Sequence, residues 1–149
     1  MMVFLGAAHR GFALTETLKR WLQGQGYEVQ DIGASSLVDG DDYVDYARIV
    51  AEKVSEGKEA RGIVICGSGV GVDVTANKVK TIRSTLGFAE EQVREARADD
   101  DSNVLALAAD FTEQSQARQL VQIFLETPFK KEERYLRLLK KIESLEQSV

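Results

Sequence analysis

Gly62-Ile63-Val64-Ile65-Cys66-Gly67-Ser68-Gly69-Val70-Gly71-Val72 is the stretch on which the fold turns. Ile63 to Ile65 is a short apolar run and reads as a buried strand. Glycines follow at the alternate positions 67, 69 and 71, and then a helix-compatible run from Val72 to Lys78. Strand, glycine-rich turn and helix, in that order, expose unpaired backbone amides to an anionic ligand. Glycine allows both the tight turn and the close approach of that ligand. Cys66, the chain's one cysteine, ends the strand beside the loop. A thiol near a helix N-terminus and a cluster of amides can have a depressed pKa and serve as base or nucleophile. A free cysteine in a parallel strand can equally be buried and inert; the adjacent loop favours the functional reading.

Working outward, Met2 to Ala8 is a continuous apolar run, as in a strand buried on both faces. His9-Arg10-Gly11 is a turn at its end, and Phe12 to Gln25 carries a helical apolar stripe of Phe12, Leu14, Leu18, Trp21 and Leu22. Tyr27 to Ile32 is a second strand, closed by Gly33, which makes a parallel, right-handed β-α-β unit. Ala34 to Asp42 is a polar loop, and Tyr43 to Glu56 a second amphipathic helix stopped by Gly57. Beyond the glycine loop, Thr81 to Phe88 reads as a fourth strand, Glu90 to Ala98 as a polar helix, and Asp99 to Asn103 as an acidic turn. Val104 to Ala109 is a fifth strand. A helix begins at Phe111 or Thr112 and runs to about Leu125, where Thr127-Pro128 breaks it. Glu132 to Gln147 is a last helix, with Leu136, Leu139, Ile142 and Leu145 on one stripe. Strands alternating with helices predict an α/β fold with a five-stranded parallel sheet. The last helix is not needed for a crossover, so its stripe is expected to pack on a second subunit.

The chain has 149 residues, which fits one domain with a real core. A net charge of −5 and no early basic stretch argue against a nucleic-acid role. One cysteine forms no internal disulfide, and one cysteine with one histidine makes a dedicated zinc site unexpected. Met1 to Ala8 is too short for a signal peptide or a membrane span, so the expectation is a cytoplasmic protein with no cofactor, no metal and no membrane partner.

Ligands of open α/β sheets bind at the carboxyl ends of the strands. Those ends carry Ala8-His9-Arg10, the segment from Ser35 to Tyr43, and Cys66 to Gly71. The chemistry suggested is proton transfer next to a carbonyl. Cys66 would be the base, amides of the glycine loop would stabilise the enediolate oxygen, and Ser68 would orient a substrate hydroxyl. Donors for a substrate phosphate would be His9, Arg10, Arg134 and Arg137.

The chain resembles the family of ribose-5-phosphate isomerase B, which includes the galactose-6-phosphate isomerase subunits. The resemblance is carried by Ile65 to Gly71, Ala76-Asn77-Lys78-Val79 with Ile82-Arg83, and Asn103-Val104-Leu105-Ala106-Leu107. Gly26-Tyr27-Glu28-Val29, Asp31-Ile32-Gly33, Tyr43 and Asp45-Tyr46-Ala47 also match. It implies a Rossmann-like three-layer sandwich, a homodimer or dimer of dimers with shared active sites, and metal-free aldose–ketose isomerisation of a phosphosugar through an enediol. By position, Cys66 resembles the family's base. Gly67, Ser68, Gly69, Val70 and Gly71 resemble its anion-stabilising loop, and Tyr43 and Asn103 its pocket residues. His9 resembles a phosphate-holding histidine, and Arg134 and Arg137 resemble arginines that reach the partner's phosphate site.

Departures from the family pattern are equally specific. Ala8 stands where the family has a substrate-binding aspartate, and Asp99-Asp100 where it has His-Asn, so Asp99 takes the place of the ring-opening histidine. Gly87-Phe88-Ala89 replaces a common Cys-His-Asp. Asp110 replaces a phosphate-binding arginine, and like charges 4 Å apart repel by roughly 4 kcal/mol at a dielectric of 20. Arg10, absent from the usual motif, is the residue available to compensate. The expected substrate is ribose 5-phosphate or another sugar handled by the same chemistry; a weakly catalytic binding protein or subunit is the alternative.

Overall fold

Side chains alternate across a strand, and the two cores of this protein follow that alternation. In a computed structural model that describes residues 1–33 and 42–148, the strand Arg61–Cys66 (β3) sends Ile63 and Ile65 to one side and Val64 and Cys66 to the other. The strand Met2–Ala7 (β1) lies parallel on one flank of β3, with Leu5 opposite Ile63. The strand Val104–Ala108 (β5) lies parallel on the other flank, with Cys66 opposite Ala108. Glu28–Asp31 (β2) and Ser84–Leu86 (β4) form the edges, so the order is β2-β1-β3-β5-β4, all parallel. Central strands of such a sheet are covered on both faces, which is why β1 and β5 are apolar throughout and β3 is apolar after its first residue, Arg61.

Three helices cover one face: Phe12–Gly24 (α1), Glu90–Asp100 (α4) and Gln114–Glu126 (α5). Leu14, Leu18 and Leu22 of α1 meet Leu120 and Phe124 of α5 over Val3, Leu5, Ile63 and Leu105. Tyr43–Glu56 (α2) and Val70–Ala76 (α3) cover the other, bringing Ala47, Val50, Val54, Val72 and Ala76 onto Val64, Cys66 and Ala106. This is the expected α/β three-layer sandwich. The last helix, Glu133–Gln147 (α6), buries one residue, Tyr135, and leaves Leu136, Leu138, Ile142 and Leu145 exposed.

Several boundaries differ from expectation. The fourth strand is three residues rather than eight, because Asn77 takes over part of the pairing: it donates to the Ser84 carbonyl and accepts from the Ser84 amide. Asp99 and Asp100 are helical rather than in a turn; α4 continues until Asp101 adopts the left-handed conformation (φ 49°) and its amide caps on the Ala96 carbonyl. The α3 helix starts at Val70, two residues early, and α5 starts later, at Gln114. The loop expected over 34–42 falls outside the described residues except for Asp42, whose carboxylate accepts from the Val44 amide at the start of α2.

Candidate active site

β1 and β3 are neighbours, yet the chain leaves them in opposite directions, β1 towards β2 and β3 towards the β5-β4 side. A crevice opens at the carboxyl ends of two such strands. A cleft of about 130 Å³ occupies that position. Ala8, His9 and Arg10 line it from the end of β1, and a single 3-10 turn over His9–Gly11 holds the latter two. Cys66, Gly67, Ser68 and Gly71 line it from β3 and the loop, and Tyr43 lines it from the first turn of α2.

The loop's local chemistry explains its glycines one by one. Gly69 has φ 75°, a left-handed turn that L residues rarely adopt, and a Cβ there would come within 2.6 Å of Leu86. Its turn starts α3, and the Ser68 hydroxyl accepts the Val70 amide at 3.3 Å. Gly67 and Gly71 serve a different purpose. A Cβ on Gly67 would fall 2.1 Å from the Arg10 guanidinium carbon, and one on Gly71 would fall 2.4 Å from the Tyr43 ring. Arg10 and Tyr43 therefore lie directly on the loop backbone and pave the cleft. Cys66 is buried among α2 and α3 side chains, yet its residue forms part of the cleft wall. Its carbonyl accepts the Ala109 amide at 2.9 Å, which fixes the strand end.

Arg10 is ion-paired with Asp110. The Asp110 amide donates to the Gly67 carbonyl at 3.0 Å, so side chain and backbone of one residue clasp Arg10 over Gly67. Sequence reasoning weighed Asp110 as a lost cation and Arg10 as its replacement, but missed that the two are partners. The signal was present: two departures of opposite charge, at the ends of strands that both flank the glycine loop.

Six of the anticipated residues do not line this cleft within one chain. Asn103 precedes β5 at the sheet's amino edge, five residues from the Ala108 that faces Cys66, a separation of about 16 Å. Its amide group is spent locally, accepting from the Arg83 amide at 2.8 Å and donating to the Thr81 carbonyl at 3.0 Å. Asp99, in the last turn of α4, pairs with Lys130 at 3.3 Å. Arg134 donates to the Tyr135 hydroxyl at 2.5 Å and stacks over that ring, while Arg137 is exposed on α6. Val70 is exposed on α3, and neither it nor Gly69, which packs against Leu86 and the end of β5, lines the cleft.

Two carboxyl groups are pushed above their ordinary range. Burial raises Asp73 of α3 against a 2.6 Å hydrogen bond from the Ser84 hydroxyl. Burial, and then the like charge of Asp99, raises Asp100. Asp100 is a residue that the sequence reading passes over in favour of its neighbour Asp99. Among the described residues no three His, Cys, Asp or Glu side chains gather as a metal site, and no helix is long and apolar enough to cross a membrane.

Known proteins share this fold. The profile of the Ribose/Galactose Isomerase family matches residues 3–142. A relative from Mycoplasma genitalium, "Probable ribose-5-phosphate isomerase B", is 36% identical over 128 residues, 85% of this chain and 84% of its own. The solved structure of ribose-5-phosphate isomerase B from Clostridium thermocellum superposes with a TM-score of 0.94 at 34% identity, covering 99% of each chain. That of ribose-5-phosphate isomerase B from M. genitalium, with bound ribulose 5-phosphate, also gives 0.94 at 34% identity, covering 99% of this chain and 97% of that one. With its profile matched almost end to end and its fold superposed on theirs, the chain belongs to the ribose/galactose isomerase family.

Proposed function

We propose that this protein is an aldose–ketose isomerase that converts ribose 5-phosphate to ribulose 5-phosphate without a cofactor, as a cytoplasmic enzyme. The observation that carries the reading is the placement of Cys66 in a cleft walled by a glycine loop, His9, Arg10 and Tyr43. The Cys66 thiolate takes the proton from C2 of the open-chain aldose. The electron pair left behind forms the C1–C2 double bond, and negative charge moves to O1, where loop amides stabilise it. A proton passes from O2 to O1, Cys66 returns its proton to C1, and the ketose carbonyl forms at C2. Ser68 orients a hydroxyl, and Arg10 and His9 hold the anionic end.

Asp99, Asn103, Arg134 and Arg137 join the site from a second copy of the chain in this reading. The uncovered apolar face of α6 supports such a pairing. A second reading, the same chemistry on a different sugar, is favoured by the charge-neutral Arg10–Asp110 pair and by Ala8 in the cleft wall. The deciding experiment is ketose formation from ribose 5-phosphate by the purified protein beside Cys66→Ala. We expect turnover that falls by orders of magnitude in the variant. A folded wild-type protein that turns over other sugars but not this one establishes the second reading. Biological output unchanged in Cys66→Ala leaves a binding protein.

A further inference from the structure

The sheet's amino edge carries its own concentration of charge. A cavity of about 580 Å³ is walled there by Lys58, Arg61, Arg97 and Lys131, with Glu59 and Asp101 as the acids. Arg61 opens β3 opposite Val3, five residues before Cys66, so the cavity lies about 16 Å along the sheet from the cleft. Asp101 is already shared: one oxygen accepts from Arg97 at 2.9 Å and the other from Arg83 at 3.3 Å. Neither Lys58, Arg61 nor Lys131 has an ion-pair partner among the described residues. The Arg97 side chain is 3% exposed and forms the rear of this cluster.

Two details mark the cavity as incomplete. The Arg61 Nε is buried with no hydrogen-bond partner, and its guanidinium makes one bond, to the Ala60 carbonyl at 3.1 Å. Buried donors are nearly always satisfied, and Arg61 is half-buried beside the buried Arg97 while Lys58 and Lys131 stand exposed at the rim. Burial, followed by repulsion from Arg97, lowers the Arg61 pKa, as unmatched cations should. Lys131 is also held at φ 56°, a left-handed conformation unusual for a lysine, beside the same cavity.

We infer that this cavity is a second anion site, which takes a phosphate or polyphosphate group between Arg61, Lys58 and Lys131. It goes beyond the proposed isomerase activity and does not depend on it. The test is calorimetric titration of the full chain with inorganic pyrophosphate at constant ionic strength, on wild type, Arg61→Gln, Lys131→Gly and Arg10→Ala. Glycine suits the left-handed backbone, so Lys131→Gly removes the charge while its melting temperature without anion does not fall. We expect saturable binding in wild type that weakens at least about tenfold in Arg61→Gln and Lys131→Gly and persists in Arg10→Ala. Absence of saturable binding overturns the site. So does binding that survives in Lys131→Gly and Arg61→Gln but disappears in Arg10→Ala, since the anion would then occupy the cleft.

Discussion

Arg10 shows how much one glycine governs. Its guanidinium rests where a side chain on Gly67 would stand, and Asp110 holds it from the other side. The obstacle in Gly67→Ala is the far end of a flexible side chain, so Arg10 can swing away at little cost to the fold. We therefore expect Gly67→Ala to melt near the wild-type temperature while KM for ribose 5-phosphate rises about tenfold, the order of one lost charge-assisted hydrogen bond. Steady-state kinetics beside a thermal melt separates the two effects. At this scale the sequence was legible where chemistry is local: a strand, then Cys66, then alternate glycines. It was less legible where two distant residues meet. Arg10 and Asp110 are 100 positions apart, and only the β1-β3-β5 adjacency makes them neighbours.

Elements were read well where their apolar period is strong. The α1, α2 and α5 helices and the β1, β3 and β5 strands have wide, regular apolar faces. Errors fell where polar side chains replace backbone pairing. Asn77 pairs with Ser84 where β4 begins, three residues later than its sequence suggests, and the three aspartates after Ala98 read as a turn although two of them complete α4. Asp73 belongs to the same class, a carboxyl half-buried in α3 beneath the Ser84 hydroxyl. Its folded pKa lies above the ordinary aspartate value of 3.8, so the native state holds this proton more tightly than the unfolded chain. That contribution is fully present below pH 3.8 and is lost as pH rises through the folded value. Asp73→Asn keeps an oxygen for Ser84 and removes the titration. Thermal melts should place it about 1–3 °C above wild type at pH 7, with the gap closing below the carboxylate range.

At the scale of the whole molecule, residues with one expected purpose divide between two edges of the sheet. Cys66, the loop, His9, Arg10 and Tyr43 share the carboxyl edge. Asn103 sits at the amino edge, and Asp99 and Arg134 belong to α4 and α6. Sequence position could place each on its element, but which elements meet across two chains is written in no local pattern. The exposed leucines of α6 are the face on which the proposed second copy would pack. Such a division has a genetic reading. Each proposed site takes its base from one subunit and its Arg137 from the other, so Cys66→Ala and Arg137→Ala are defects in opposite halves. Refolded together in equal amounts, two inactive chains should complement each other. Half of the dimers are mixed, and each mixed dimer holds one site free of both lesions. Activity should return to about a quarter of the wild-type value by ketose assay, whereas a site built within one chain would stay silent.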